Sequence, residues 1–190
     1  QAKVLAGHSG PVEFAGFGPD GRWVVTASQD QTPRVWDFPG GNEPAVLVGH
    51  EGPVTCAAIS PGGDKLASVS SNGSVIVWEV GSFRRLLSFK HEGEVRDARF
   101  DSDGRRLVTA SEDLTARIVE IDTGETLILR GHEDTVRTAS FSPDRRRVLT
   151  SSGDNTARVW EADGGRQILR VAHYDAVRVA SWSPDGRSFV

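Results

Sequence analysis

The chain has 190 residues, 37% of them hydrophobic, with 21 Gly, 9 Pro, five His, one Cys and no Met. Its formal charge of −4 excludes a global basic footprint for nucleic acid. Cys56 alone excludes an internal disulfide and points to a reducing, cytoplasmic setting, and no apolar run approaches the roughly 20 residues that a membrane-spanning helix needs.

The five histidines set a repeat. His8, His50, His91, His132 and His173 are 42, 41, 41 and 41 residues apart. Lys3–Ala6 reads as the outer strand of a preceding unit. Behind each His the same elements recur. Val12, Val54, Val95, Val136 and Val177 stand four residues on. Ala15, Ala57, Ala98, Ala139 and Ala180 stand seven on, and Phe17, Ile59, Phe100, Phe141 and Trp182 nine on. Seven and nine alternate as a strand does, but the step from four to seven breaks the alternation, which predicts a β-bulge in each first strand. A hairpin turn follows, as in Pro19-Asp20-Gly21, Pro61-Gly62-Gly63 and Pro184-Asp185-Gly186, because Pro presets φ and Gly accepts positive φ.

Second strands are predicted at Trp23–Ser28, Leu66–Ser70, Leu107–Ser111 and Val148–Ser152. Third strands run through Val35, Val77, Ile118 and Val159. Weaker fourth strands lie at Ala45–Val48, Leu86–Phe89, Thr126–Leu129 and Gln167–Val171. Four short antiparallel strands per unit with no helical period predict an all-β chain, and the fixed repeat selects a propeller with one sheet per unit. The units run over 8–49, 50–90, 91–131 and 132–172, with a partial one at 173–190 and residues 1–7 belonging to a preceding blade. The absence of Met, and a pattern that breaks off at Val190, predict a fragment of a larger ring whose exposed flanks favour association.

Gly-His, Ser-x-Asp and a terminal Trp recur at constant offsets of 20, 22 and 28 behind His in successive units. In this the chain resembles the WD40-repeat (G-beta-like) β-propellers, over nearly its whole length. The resemblance implies a seven-bladed parent ring. It also implies hydrogen-bonded structural tetrads: His8, Ser28, Asp30 and Trp36; His50, Ser70, Asn72 and Trp78; His91, Ser111 and Asp113; His132, Ser152, Asp154 and Trp160. A buried indole N–H needs an acceptor, and a hydroxyl can accept it and donate onward to imidazole. Val119 removes the indole from the third set and Asn72 replaces a carboxylate in the second. Both blades are expected to keep their fold, with the third opening first.

The resemblance further implies non-catalytic protein binding through the top face of the ring, at offsets 3, 5 and 21. Those positions are Glu94 and Thr135; Glu13, Thr55, Arg96, Arg137 and Arg178; and Gln29, Ser71, Glu112 and Gly153. Pro11, Pro53 and Ala176 complete offset 3. Three consecutive arginines at one position suit acidic or phosphorylated proteins and peptides, with Glu94 and Glu112 neutralising part of the arc. The alternatives are a sensor of small anions at that rim, or a hydrolase or lyase using the channel. Against the latter, Ser, His and Asp recur in every unit rather than once in a cleft, and no Gly-x-Ser-x-Gly elbow is present. No paired Cys/His spacing points to a metal, no P-loop is present and no cofactor is expected. Relatives of this kind place such propellers beside enzymatic or NTPase modules, which would lie outside these residues. Cys56 reads as a small packed hydrophobe. Arg145-Arg146-Arg147 reads as a solvated turn, with the same caution for Arg84-Arg85 and Arg105-Arg106. Arg34, Arg117 and Arg158 are expected to pair with acids.

Overall fold

A computed structural model describes residues 4–37 and 43–190. The described residues contain sixteen strands and no helix, arranged as four antiparallel meanders in chain order. The first sheet holds β1 (Val12–Phe17), β2 (Trp23–Ser28), β3 (Pro33–Asp37) and β4 (Ala45–Val46). The second holds β5 (Val54–Ile59), β6 (Lys65–Ser70), β7 (Ser74–Glu79) and β8 (Arg85–Lys90). The third holds β9 (Val95–Phe100), β10 (Arg106–Ser111), β11 (Ala116–Glu120) and β12 (Thr126–Leu129). The fourth holds β13 (Val136–Phe141), β14 (Arg147–Ser152), β15 (Thr156–Glu161) and β16 (Gln167–Ala172). The four-stranded units read from the repeat correspond to this order.

The predicted slip in each first strand is present. Val12 faces Ser28 while Phe14 faces Ala27, and the same step separates Val54 from Cys56, Val95 from Asp97 and Val136 from Thr138. The extra residue is Glu13, Thr55, Arg96 or Arg137, so in every sheet the bulge re-aims the offset-5 side chain.

The cores lie between sheets. Val25, Ala27, Val35 and Leu47 of the first pack with Val54, Ala57, Leu66, Ile76 and Trp78 of the second. Equivalent clusters join the second to the third and the third to the fourth. Second strands are almost wholly buried, each large aliphatic contributing about 1.5–3 kcal/mol. The first strand of the first sheet has no sheet before it and is more open: Val12 is 50% exposed, while Val54, Val95 and Val136 are at 0%. The ring is not closed.

The ends differ from expectation. Val4–Ala6 form no strand, and Lys3 lies outside the described residues. Residues 173–190 contribute a single isolated bridge, Trp182 to Phe189. They still dock on the fourth sheet through buried Ala180 and through Trp182 Nε1, which donates to the Ser140 carbonyl at 3.3 Å.

Candidate functional site: the bulge rim and the networks that hold it

Each first strand is pinned by a buried polar chain. In the fourth sheet Trp160 Nε1 donates to Thr150 Oγ1 at 2.9 Å, Thr150 Oγ1 lies 2.7 Å from His132 Nε2, and His132 Nδ1 lies 2.8 Å from Asp154 Oδ2. Burial holds the His132 imidazole below its ordinary pKa against the pull of Asp154. It is therefore neutral at pH 7, accepting at Nε2 and donating from Nδ1. The first sheet repeats the pattern: Trp36 to Thr26 at 2.8 Å, His8 to Thr26 at 2.7 Å and His8 to Asp30 at 2.7 Å.

The hydroxyl in this chain is not the expected one. It stands at offset 18 (Thr26, Ser68, Thr109, Thr150) and not at offset 20. Ser28, Ser111 and Ser152 instead donate to the carbonyls of Gly10, Gly93 and Asp134 and accept the amides of Asp30, Asp113 and Asp154. Ser70 accepts the Asn72 amide at 3.3 Å. The reason lies across the strand pair. Trp36 is level with Val24, so its indole reaches diagonally to Thr26 and falls short of Ser28.

Two units depart further. In the second, Asn72 does not reach His50. Its Oδ1 accepts the Ser74 amide, and Ser74 Oγ takes the place beside His50 Nδ1 at 2.6 Å. Without a carboxylate to oppose it, burial pushes the His50 pKa down to about 4. In the third, Val119 leaves Thr109 with no indole, yet His91 keeps Thr109 at 2.8 Å and Asp113 at 2.7 Å. The Phe89 ring, on β8 of the preceding sheet, lies 6.1 Å from that of His91; the His8–Trp36 and His132–Trp160 rings are 6.1 and 6.0 Å apart. Burial opposes ionisation of Asp113, but hydrogen bonds from Thr115 and His91 outweigh it and bring the pKa to about 2. Although His91, Asp113 and Thr109 share the connectivity of a catalytic triad, Thr109 is fully buried. No substrate can meet its hydroxyl.

The carboxylates also hold the third-strand arginines. Arg34, Arg117 and Arg158 reach Asp30, Asp113 and Asp154 at 3.5, 3.3 and 3.1 Å. Cys56 is half-buried, and burial with the nearby Asp97 charge pushes its thiol up to about 11, far from the range of a reactive thiolate.

On this frame offsets 3, 5 and 21 converge. The offset-21 amide donates to the offset-3 carbonyl in all four units: Gln29 to Pro11, Ser71 to Pro53, Glu112 to Glu94 and Gly153 to Thr135, at 2.9–3.0 Å. The bulge side chain faces the offset-21 side chain across this link, and the pair differs around the rim. Gln29 donates to Glu13 at 2.5 Å. Thr55 Oγ1 is buried without a partner, and Ser71 is half-buried. Arg96 is bonded to Glu112 and lies 3.3 Å from Glu94. Opposite Arg137 stands Gly153, and among the described residues neither Arg137 nor Arg178 forms an ion pair. The three arginines are thus unequal: one is neutralised and two are free.

On the opposite, hairpin face two arginines expected in solvated turns are instead clamped between sheets. Arg106 and Arg147 are not solvated turn residues. The Arg106 guanidinium lies 5.0 Å from the centre of the Phe141 ring in the next sheet and donates to the Arg145 carbonyl at 2.7 Å. Arg147 lies 4.8 Å from the Trp182 ring centre and donates to the Gly186 carbonyl at 2.8 Å. Arg106 is also paired with buried Asp101 at 3.1 Å, and Arg145 with Asp103. Arg84 and Arg105 are surface ion-pair residues, 3.6 Å from Glu79 and 3.9 Å from Asp103.

Comparison with known proteins agrees with this architecture. A family model described as WD40, "WD domain, G-beta repeat", matches residues 1–37, 41–79, 83–120 and 124–161. Among curated proteins the chain is 41% identical over 39 residues to WD repeat-containing protein 36 of Homo sapiens. It is 49% identical over 39 residues to U3 small nucleolar RNA-associated protein 21 of Saccharomyces cerevisiae. Each match covers 20% of this chain and 4% of the relative.

Proposed function

The chain belongs to the WD40 family of G-beta repeats, and from that premise we propose that it is a non-catalytic scaffold or sensor that meets partners through its bulge rim. WD40 repeats are protein-interaction modules, and the family is generally non-catalytic. The observation that supports the rim as the contact surface is the bulge itself. It recurs in all four sheets at the same place, holding the backbone constant while the side chain it presents changes from Glu13 to Thr55 to Arg96 to Arg137. A constant frame with a variable display is what a recognition surface requires.

The partners proposed are proteins or peptides with acidic or phosphorylated segments. The yeast relative is named for association with a small nucleolar RNA. With a net charge of −4, this chain is read as a protein-binding part of any such assembly. Catalysis, where the parent protein has any, is assigned to an enzymatic or NTPase module outside these residues, and the setting proposed is cytoplasmic.

Photo-crosslinking side chains placed singly at Thr55 and Arg137 on the rim, and at Arg146 on the hairpin face, test the reading. Adducts to one partner from the rim positions only are expected. Adducts from Arg146 with none from the rim would refute it.

A further inference from the structure

We propose that a hollow between the third and fourth sheets, on the hairpin face, takes a lysine side chain from a basic segment of a partner protein. It is a second site, on the face opposite the bulge rim, and it stands or falls apart from the rim reading. The hollow has a volume of about 250 Å³. Its floor is apolar, formed by Ile118 of β11, Leu127 of β12 and Ala162 just past β15. Glu120, Glu125 and Asp163 stand around that floor.

The space comes from two small residues in the fourth unit. Thirty residues behind the His, the second, third and fourth units carry Val80, Ile121 and Ala162. Each of their amides donates to a carbonyl in the hairpin turn of its own unit, Asp64, Arg105 and Arg146, at 2.8–3.0 Å, so the three side chains leave equivalent places. Val80 packs on the core between the first two sheets, and Ile121, 5% exposed, belongs to the core between the second and third. Ala162 stops at Cβ. Three residues further on, Phe83 of the second unit packs on the same core as Val80, where the third and fourth units have Gly124 and Gly165. A Cβ on Gly165 would come within 3.2 Å of Leu127, which puts that glycine at the edge of the floor. Of the three units, the fourth alone is small at both places.

The walls are short of positive charge. Arg106 borders the hollow, but its guanidinium is already shared: Nε lies 3.1 Å from buried Asp101 and 3.8 Å from Glu120, and Nη1 lies 3.0 Å from Asp163. Among the described residues Glu125 forms no ion pair. Burial, with the charges of Asp101, Asp163 and Glu125, holds the Glu120 carboxyl above its ordinary pKa in spite of Arg106. On the far side of Arg106, Arg105 and Arg145 both pair with Asp103, which leaves Arg146, on the adjoining hollow, to oppose an entering cation. The apolar floor suits a hydrocarbon stem with its charge at the tip. The three carboxylates come from separate places, the end of β11, the turn before β12 and the turn after β15. An ammonium offers three rotatable donors to such a set, whereas a guanidinium is a flat fork matched to one carboxylate plane.

The chain, with ¹³C-labelled leucine methyl groups, is titrated with a degenerate nonapeptide pool carrying one central lysine among uncharged residues, and with its acetyl-lysine, norleucine and arginine counterparts. The Leu127 methyl signals are expected to move with the lysine pool and to stay still with the acetyl-lysine and norleucine pools. E120Q/E125Q should weaken lysine binding at least tenfold without lowering the urea midpoint, and R146Q should tighten it. A162I, which copies Ile121 of the preceding seam, should abolish it, with A162V as the smaller filling should A162I fail to fold. Equal affinity for any of the three counterpart pools, unchanged affinity in E120Q/E125Q, or still Leu127 signals overturns the proposal. Rim crosslinking should be the same in E120Q/E125Q as in the wild type. Its loss there would show that hollow and rim act as one surface, against the proposal of a separate site.

Discussion

In the third unit, Lys90 and Val119 stand where the other three units set a glycine against an indole. A Cβ on Gly7 or Gly131 would meet Arg34 or Arg158 Nη1 at 2.6 and 2.9 Å and touch the Trp36 or Trp160 ring at 3.5 Å, and one on Gly49 would come within 3.3 Å of the Trp78 ring. Where Lys90 replaces that glycine the facing position is Val119, 1% exposed, and the Lys90 carbonyl accepts from Arg117 at 3.0 Å. Restoring the family's tryptophan should therefore harm this chain. V119W is expected to destabilise by about 1–3 kcal/mol through overpacking. Adding K90G should recover part of that loss, giving a coupling of about 0.5 kcal/mol or more in a double-mutant cycle. Urea denaturation of the four proteins measures it, and strict additivity would mean that the two positions do not meet.

The missing indole alone suggests that the third sheet opens first. The packing argues otherwise. Phe89 stands beside His91, and the third sheet is buried by a neighbour on each side. The first sheet has one neighbour and an open leading face at Val12. Native-state hydrogen exchange should show amides of β1 exchanging ahead of those of β9 and β10. Slower exchange in β1 would restore the simpler expectation.

Much of this was legible in the primary structure, and the misses share a cause. Period, turns and bulge are properties of one chain segment, and they repeat: the Val12-to-Ala15 slip recurs in each unit. Which hydroxyl joins Trp36 to His8 was not legible. Thr26 and Ser28 sit on the same strand face, and hydroxyls recur at both offsets, so only the diagonal across β2 and β3 separates them. The recurrence of Thr26, Ser68, Thr109 and Thr150 was the available signal. Arg106 and Arg147 were missed because their partners belong to the next unit, and a repeat gives register within a unit without showing which faces meet. The free state of Arg137 depends on a missing side chain at Gly153, which became informative only once the bulge had placed the two opposite each other.

The pH response should have two separate windows. The unfolded His50 imidazole titrates near 6.5, and the folded one near 4. Between those values the unfolded chain binds a proton that the folded chain refuses, so stability present above pH 6.5 is lost as pH falls toward 4, up to about 3 kcal/mol from this residue. Asp113 acts lower. Its folded pKa of about 2 gives stability that is complete above the ordinary carboxylate range and is lost as pH falls from there through 2. N72D/S74T copies the Asp-Thr pair of the other units and should raise the His50 pKa, flattening the upper window. NMR titration of His50 Cε1–H alongside urea midpoints at pH 4–7 checks both, and an unmoved His50 pKa would exclude the Asn72 explanation.

The guanidinium clamps on the hairpin face should rank by what each leaves behind. R147A removes a cation–π contact of about 0.5–2 kcal/mol and a charged hydrogen bond to the Gly186 carbonyl of about 1.5–3 kcal/mol. Its side chain is 34% exposed, so water replaces part of the loss, and about 2 kcal/mol is expected. R106A removes the same two contacts and also strips the guanidinium from Asp101, whose side chain is 1% exposed. A buried carboxylate without its cation costs about 3–5 kcal/mol when uncompensated. Here the Arg105 and Arg106 amides, at 3.0 Å each, soften that penalty. R106A should therefore cost more than R147A, and R106K should lie between wild type and R106A, keeping the charge while losing the planar fork over Phe141. Urea unfolding of the three variants gives the order directly. Equal losses for R106A and R147A would show that Asp101 is held by the two amides alone.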